Sequence, residues 1–505
     1  MNDSAAGGAV NGLSSAPQTI QFMMRGAGLL YGATLYSLLA RLLTTFIVAN
    51  ALGSGALGVY ALCFATVQIL SMLVMCGQDA GLVRFVSLAV QANDLARARA
   101  LLLTAMATGL LLSVPVMLGG WLVLPFFITT DDAANANVVP FFVLSVLPLV
   151  WSGMLGAFGL ARGRRVVRAL PDRVVGATVQ LVLSFAALQF GLGLWGVSLA
   201  YWLNALASLA TAIVLVMPLL PRRVANVSLV PVARELMGFS WKLGLSNVLG
   251  YVLLNAALFV LGVTNAAQAG VYAAASRLTL PGLLFLDAIG SVFGPHAARK
   301  LGDPTLEADL QRVTNWLIVA SAPIFILLFV FADTWMSLLG PEFAGSGNVL
   351  AVMALAQMVN ILTSACNTLI SLSHRPDLKI LNTVLAWGTN LVLVLALTPQ
   401  WGALGAAYAY FVAVVIIDVL EYGETRLVLQ LRPWGALSVK PALMIVSMTL
   451  MLMWFANAAA RELWQVLAVG VGFLLSYISL MMWFGLPRDD VSSLRAIAAN
   501  LRGRS

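Results

Sequence analysis

Two stretches decide how this chain folds: FIVANALGSGALGVYALC (residues 46–63) and LFVLGVTNAAQAGVYAAA (residues 258–275). Each holds an apolar run, a break made of small residues, and a second apolar run that opens on Gly-Val-Tyr. Gly58-Val59-Tyr60 and Gly270-Val271-Tyr272 stand 212 positions apart. Asn137-Val138 and Asn348-Val349 differ by 211, and Trp195-Gly196 and Trp401-Gly402 by 206. Three matches at nearly one spacing mark an internal duplication of about six apolar runs per copy. With an even number of runs per copy, both halves enter a membrane from the same side, related by an axis along its normal.

Outward from those stretches the pattern continues. Fourteen apolar runs lie near 28–51, 56–77, 100–124, 138–160, 174–190, 196–219, 241–262, 269–294, 313–332, 347–372, 380–398, 403–420, 441–460 and 464–485. They lack period-two alternation, and most are too long for barrel strands, so the expected fold is an all-α polytopic membrane protein. Composition agrees. Of 505 residues, 61% are hydrophobic and 10% charged, with a mean hydropathy of +0.95. A soluble domain carries about 25% charge, so a soluble enzyme, a nucleic-acid reader and a secreted disulfide scaffold are excluded. Cys63, Cys76 and Cys366 sit in apolar runs with no CxxC pair or histidine beside them, which speaks against disulfides and zinc.

The net charge of +8 is a topology signal. Of 28 Lys and Arg residues, 25 fall in the N-terminal flank, the even-numbered loops and the C-terminal tail, and only Arg461 on the opposite side. That asymmetry places both termini in the cytoplasm. The expected organisation is a disordered tail (1–21), an N-lobe of six helices (22–219), a linker (220–240) and a C-lobe of six (241–421). A loop (422–440), an appended helix pair (441–485) and a tail (486–505) complete it. The first residues lack the basic and apolar regions of a cleaved signal peptide. The chain has no GxxxxGK[ST] loop for ATP, and Gly191-Leu-Gly193-Leu-Trp-Gly196 lacks the acid a dinucleotide site needs, so no cofactor is expected.

Two cations remain inside the spans, Arg41 and Arg277. An intramembrane charge costs about 2.5–3.5 kcal/mol on insertion scales and is a functional candidate by default. Arg41 lies about 24 Å along a helix from Arg25, near mid-depth. Both arginines are candidates for a water-filled cavity that attracts an anion; the alternative is that each pairs with carbonyls or with a residue such as Asp287 and locks helices together. Arg25 and Lys242, at the cytoplasmic entry of each half, could gather phosphate or merely set topology. Arg84, in GLVRF, has the same two readings, with Asp79 as a possible ion pair. Asp287 and Asp418, the acids within or at the edge of spans, lie toward the cytoplasmic side.

LGSGALGVYAL (52–62), GLVRFVSLA (81–89) and FVLGVTNAAQAGVYAAASRL (259–278) resemble the bacterial polysaccharide transporters. So do FGPHAARKLGD (293–303), LLGPEFAGSGNVLAVMALAQMVN (338–360) and FGLPRDD (484–490). These are the Wzx-type oligosaccharide flippases of the multidrug/oligosaccharidyl-lipid/polysaccharide superfamily. The resemblance implies two six-helix lobes around a central cavity and a last helix pair that cradles a lipid tail. It implies a non-enzymatic carrier in the bacterial inner membrane that moves an undecaprenyl-pyrophosphate-linked glycan to the outer leaflet, among membrane lipids and beside a polysaccharide polymerase or export machinery. Cavity cations would hold the pyrophosphate, and Arg41 and Arg277 suit that role. A lipid II flippase and a cation-coupled drug exporter of the same superfamily are the near alternatives. A membrane glycan polymerase or ligase is a further one, disfavoured by the sparse outer loops.

Overall fold

The computed structural model describes residues 16–127, 138–220, 228–300, 303, 305–372, 376–459 and 463–481. Among these residues there is no strand. The first half of the chain forms α1 (Ala16–Met75), α2 (Gln78–Gln91), α3 (Leu95–Val123), α4 (Val139–Leu144) and α5 (Val146–Ala161). Then α6 (Arg165–Ala169) passes through a π-helical turn, Leu170–Gly176, into α7 (Ala177–Gln189), and α8 (Gly193–Val216) follows. The second half forms α9 (Leu229–Leu254), α10 (Ala256–Thr264), α11 (Ala266–Arg299), α12 (Leu306–Val330), α13 (Ala332–Ser337), α14 (Gly347–Leu372) and α15 (Pro376–Leu427). The last elements are α16 (Ala436–Ala459) and α17 (Leu463–Leu480).

Seven helical stretches are long and apolar enough to cross a membrane, and α9 with α10, bent by 50°, makes an eighth candidate, among the described residues. Two of the seven are far longer than one crossing needs. The 60 residues of α1 would reach about 90 Å at 1.5 Å each, against a hydrocarbon core of about 30 Å. Gly53, at φ +81°, interrupts that helix, and Gly402, at φ +54°, interrupts α15. Left-handed backbone of this kind is open to glycine and strained for residues with a Cβ. Each apolar run of the sequence falls on helix in its described part.

The structure extends several of those runs. Residues expected as a linker before 241 are helical from Leu229, where Val232 and Leu236, one turn apart, are buried while Arg234 and Glu235 face outward. The segment expected to begin at 174 begins at Arg165. GLVRF lies on a separate helix, α2, set off from α1 by Cys76 and Gly77, both at positive φ. Asp94 caps α3 by accepting from the Arg97 amide, and Asn265 caps α11 by accepting from Gln268.

The halves meet most extensively where α1 packs on α11. A Cβ placed on Gly58 would run into the Ala266 carbonyl, and one on Gly270 into the Ser54 carbonyl. The two glycines matched by the repeat therefore pack reciprocally, as residues beside a pseudo-twofold axis do. At the end of the bundle that holds Gly53, Glu342 accepts from the Ser54 amide at 2.7 Å and its hydroxyl at 2.8 Å. Those two donors hold the Glu342 carboxyl below the usual carboxylate range. Asn50 adds a bond to the Leu338 carbonyl at 2.7 Å. At the opposite end, Gly77 lies against the backbone of Ser240 and Gly244 on α9, and Arg97 pairs with Glu235 at 2.7 Å.

Candidate functional site

Three cavities meet between the halves. One of about 240 Å³ opens into the first half and is lined by Arg41, Gln68, Arg168, Asp172, Arg173, Gln180 and Asn204, among others. One of about 390 Å³ opens into the second half, lined by Tyr251, Arg277, Gln357 and Tyr410 together with apolar side chains. A third, of about 200 Å³, lies where they join, between Thr34, Ser37, Arg41, Tyr60, Phe64 and Arg277. Phe64 borders all three, Arg41 the first and third, and Arg277 the second and third.

The two arginines expected from sequence thus come together, one from each half. Arg277, on α11, donates to the Thr45 hydroxyl at 2.8 Å, and its guanidinium stands 5.2 Å from the Tyr60 ring and 5.6 Å from the Phe64 ring. Arg41 stands 5.9 Å from the same Phe64 ring and keeps an exposed side chain in the cavity. Aromatic faces attract cations but leave the positive charge uncancelled. Among the described residues no carboxylate lies within ion-pair distance of either arginine. Two guanidiniums beside a hollow, neither paired with a carboxylate among the described residues, give that hollow a positive potential.

The remaining sequence candidates fall elsewhere. Lys242 is exposed on α9, 5.9 Å from the Trp241 ring, and lines none of the three cavities. Arg84 stacks 4.6 Å from the Phe239 ring and 5.7 Å from Phe85, and no ion pair joins it to Asp79. Neither residue lines any of the three cavities, and both lie beside aromatic rings of α2 and α9. Arg25 and Asp287 lie on the backbones of α1 and α11, with side chains outside the described residues.

Sequence reasoning missed Arg168, Asp172 and Arg173. The two arginines were counted among loop cations that set topology, whereas α6 and the π-turn carry them into the first cavity. Arg168 donates to the Gly153 carbonyl at 3.1 Å, Arg173 donates to the Thr34 hydroxyl, and Asp172 accepts from Ser152 at 2.7 Å. A signal was present. Val166, Val167, Ala169 and Leu170 continue the apolar pattern N-terminally from Val174, so the helix could have been extended back through the charges. The π-turn adds a residue to the helical ladder beside Pro171, a distortion that clusters at functional sites.

A family described as "Polysaccharide biosynthesis protein" matches residues 23–299, more than half of the chain. The chain belongs to this family. It is a multi-pass membrane protein of polysaccharide biosynthesis. Its segment of 194 residues is 24% identical to the probable low-salt glycan biosynthesis flippase Agl15 of Haloferax volcanii, covering 37% of this chain and 41% of that protein. In fold, the family member resembles a lipid II flippase MurJ in an inward closed conformation, with a TM-score of 0.71 at 13% identity over 92% of this chain and 98% of that one. An inward-facing multidrug resistance MATE family transporter of the MOP superfamily follows at 0.63 and 15% identity, covering 79% of this chain and 94% of that one. A MOP superfamily transporter from Pyrococcus furiosus, whose binding pocket is described as having reverse polarity, scores 0.56 at 14% identity over 80% of this chain and 96% of that one.

Proposed function

We propose that the protein flips a polyprenyl-pyrophosphate-linked oligosaccharide, of the undecaprenyl type, across the bacterial inner membrane by alternating access. In this reading fourteen helices form two six-helix lobes, residues 22–219 and 241–421, and an appended pair, with both termini cytoplasmic. The Gly53 end then faces outward, and the Gly77 end faces the cytoplasm. The observation that carries the reading is the Arg41–Arg277 site at the junction of the three cavities. A pyrophosphate cannot cross hydrocarbon with its charge unbalanced, and two forked guanidiniums suit its oxygens. The polar side chains of the first cavity, Gln68, Gln180 and Asn204, offer hydrogen bonds to sugar hydroxyls.

The likeness to the lipid II flippase extends over 92% of the chain, against 79% for the multidrug resistance transporter. The additional coverage supports a lipid-linked cargo over a free drug. Family membership supports a product destined for a surface polysaccharide, received on the far side by a polymerase or export machinery. The reaction moves a substrate without making or breaking a covalent bond, so no enzymatic step is assigned.

The test is twofold. A strain deleted for this protein and lacking a redundant flippase should trap the lipid-linked oligosaccharide on the cytoplasmic leaflet. Purified protein in vesicles should bring a labelled polyprenyl-pyrophosphate glycan within reach of an enzyme added outside. Normal export from the deleted strain, with no trapped intermediate, overturns the reading.

A further inference from the structure

A polar seam runs through the second half, away from the arginine site. Its upper end opens on the second cavity, where Gln357 donates to the Tyr410 hydroxyl at 2.9 Å and Asn360 donates to Gln357 at 3.3 Å. On the next turn of α14, Thr363 donates to Asp418 of α15. Asp418, Glu421 and Glu424 then follow at single-turn spacing toward the end of α15. Exposure rises along this ladder: Asp418 is 3% exposed, Glu421 5%, and Glu424 half-buried. Asn382 donates to Glu424 at 2.8 Å and closes the lower end.

The seam is short of hydrogen-bond donors. Asp418 Oδ2, Asn382 Oδ1 and Thr425 Oγ1 are buried with no hydrogen-bond partner, and all three can accept. Asn382 is 2% exposed and Thr425 fully buried. Neither Asp418 nor Glu421 has a cation within ion-pair distance among the described residues. The titratable or charged groups facing the pair are Cys366 from α14 with Tyr410, Glu424 and Lys379 from α15. Lys379 is exposed, and its ammonium is held by Asn367 and Ser371. Leaving two ionised carboxylates buried together without a cation costs several kcal/mol. Among the described residues no group of three His, Cys, Asp or Glu is arranged to hold a metal ion.

We infer that Asp418 and Glu421 form a proton-binding site, held to α14 through Thr363, about two turns along that helix from the Gln357–Tyr410 pair of the second cavity, and followed one turn on by Glu424. A proton on the pair cancels one buried charge, and on Asp418 it turns the unpartnered Oδ2 into a hydroxyl. Side chains one turn apart have Cβ atoms about 5–6 Å apart, so the two carboxyls can share a proton and pass it from one to the other. Each transfer moves one proton between a carboxylic acid and a carboxylate, and nothing is oxidised or reduced. The inference rests on the flippase reading only in making this proton the coupling ion for transport.

Infrared difference spectroscopy on the intact protein in lipid, taken across a pH titration, tests proton occupancy without any substrate. A protonated-carboxyl band that titrates in the wild type and is lost in Asp418→Asn and Glu421→Gln is expected. Its absence from the wild type at every pH, or its persistence in both variants, overturns the site whether or not transport is found. In vesicles, an imposed pH gradient should accelerate flipping of the labelled glycan by about tenfold in wild type and not in Asp418→Asn, while the binding of polyprenyl pyrophosphate stays within about twofold. Thr363→Ala, which keeps both acids, should shift the pH midpoint of the band. Flipping driven by a sodium gradient and indifferent to pH overturns the coupling role. Vesicles that show binding and no flipping at all, with the band intact, count against the transport reading and leave the proton site standing.

Discussion

The two lobes place polar clusters at matched positions and use them in opposite ways. Ser152 and Thr363 stand 211 positions apart, Asp172 and Asn382 stand 210 apart, and so do Gln180 and Asn390. In the N-lobe the cluster opens on a cavity, and Asp172 shares it with Arg41, Arg168 and Arg173. In the C-lobe the corresponding helices bury Asp418 and Glu421 against Thr363 without a matching arginine, and the cluster faces none of the three cavities except through Gln357 and Tyr410. The matched positions show where polar residues enter the two halves, and the charge carried there differs between them. The N-lobe cluster is basic and opens on water, whereas the C-lobe acids lie closed off beneath a cavity whose one lining cation among the described residues is Arg277.

The sharpest way to break this contrast is at the arginines. The variant carrying both Arg41→Ala and Arg277→Ala should lose about a hundredfold or more in flipping rate, since each charge-assisted contact contributes about 1.5–3 kcal/mol. Membrane insertion at normal levels, checked alongside, separates this from misfolding. A double variant that flips at the wild-type rate removes the anion site from the mechanism.

Next comes the axis between the lobes. Gly270→Val puts a Cβ into the Ser54 carbonyl and should open the Gly53 end at a cost of about 1–3 kcal/mol. Spin labels on the two lobes would report a longer distance, and an unchanged distance would mean the close approach does not hold the lobes together.

A smaller effect separates the arginines of the first cavity from cations that line none of the three cavities. Arg168→Ala and Arg173→Ala should each slow flipping by about tenfold, while Lys242→Ala and Arg84→Ala stay within about twofold, as expected for exposed cations. Equal losses in all four, measured in the same vesicles, would show that general basicity matters and cavity position does not.

The least effect concerns Glu342, on the loop that bridges to Ser54. Its carboxyl is held below the usual range in the closed arrangement, so its contribution is complete above the ordinary glutamate value of about 4.3. It is lost as pH falls through the lowered value. Accessibility of the Gly53 end to a thiol reagent should rise modestly on acidification in wild type and show no such step in Glu342→Gln. An identical pH response in the variant would assign the step to another group.

How much of this was legible differs from residue to residue. Arg41 and Arg277 stood out because each is a lone charge in an apolar run, and the cost of burying charge makes such residues conspicuous. Arg168 and Arg173 did not stand out. They sit beside Arg162, Arg164 and Arg165, and a run of cations next to an apolar segment reads as a loop. Their helix starts earlier than its apolar core because the charges extend into a hollow and the backbone still bonds within the helix. Glu421 was missed for a related reason, lying near the end of a long span where an acid passes for an interfacial residue. For Arg84 and Lys242 sequence gives depth along a helix but not the neighbours around it; the structure puts Arg84 beside Phe239 and Lys242 beside Trp241.

By itself the sequence determined the all-helical, multi-pass class of the molecule and singled out Arg41 and Arg277 within its apolar runs. Hydrophobic length, residue spacing and the expense of intramembrane charge are properties of the chain read in one dimension. Only the tertiary structure decided that the cations converge on Phe64, that Arg168 and Arg173 join the first cavity, and that the C-lobe acids are closed away from it. Those outcomes depend on which helix faces pack together. Apolar spans with little amphipathic pattern leave that choice to close contacts such as Gly58 against Ala266 and Gly270 against Ser54.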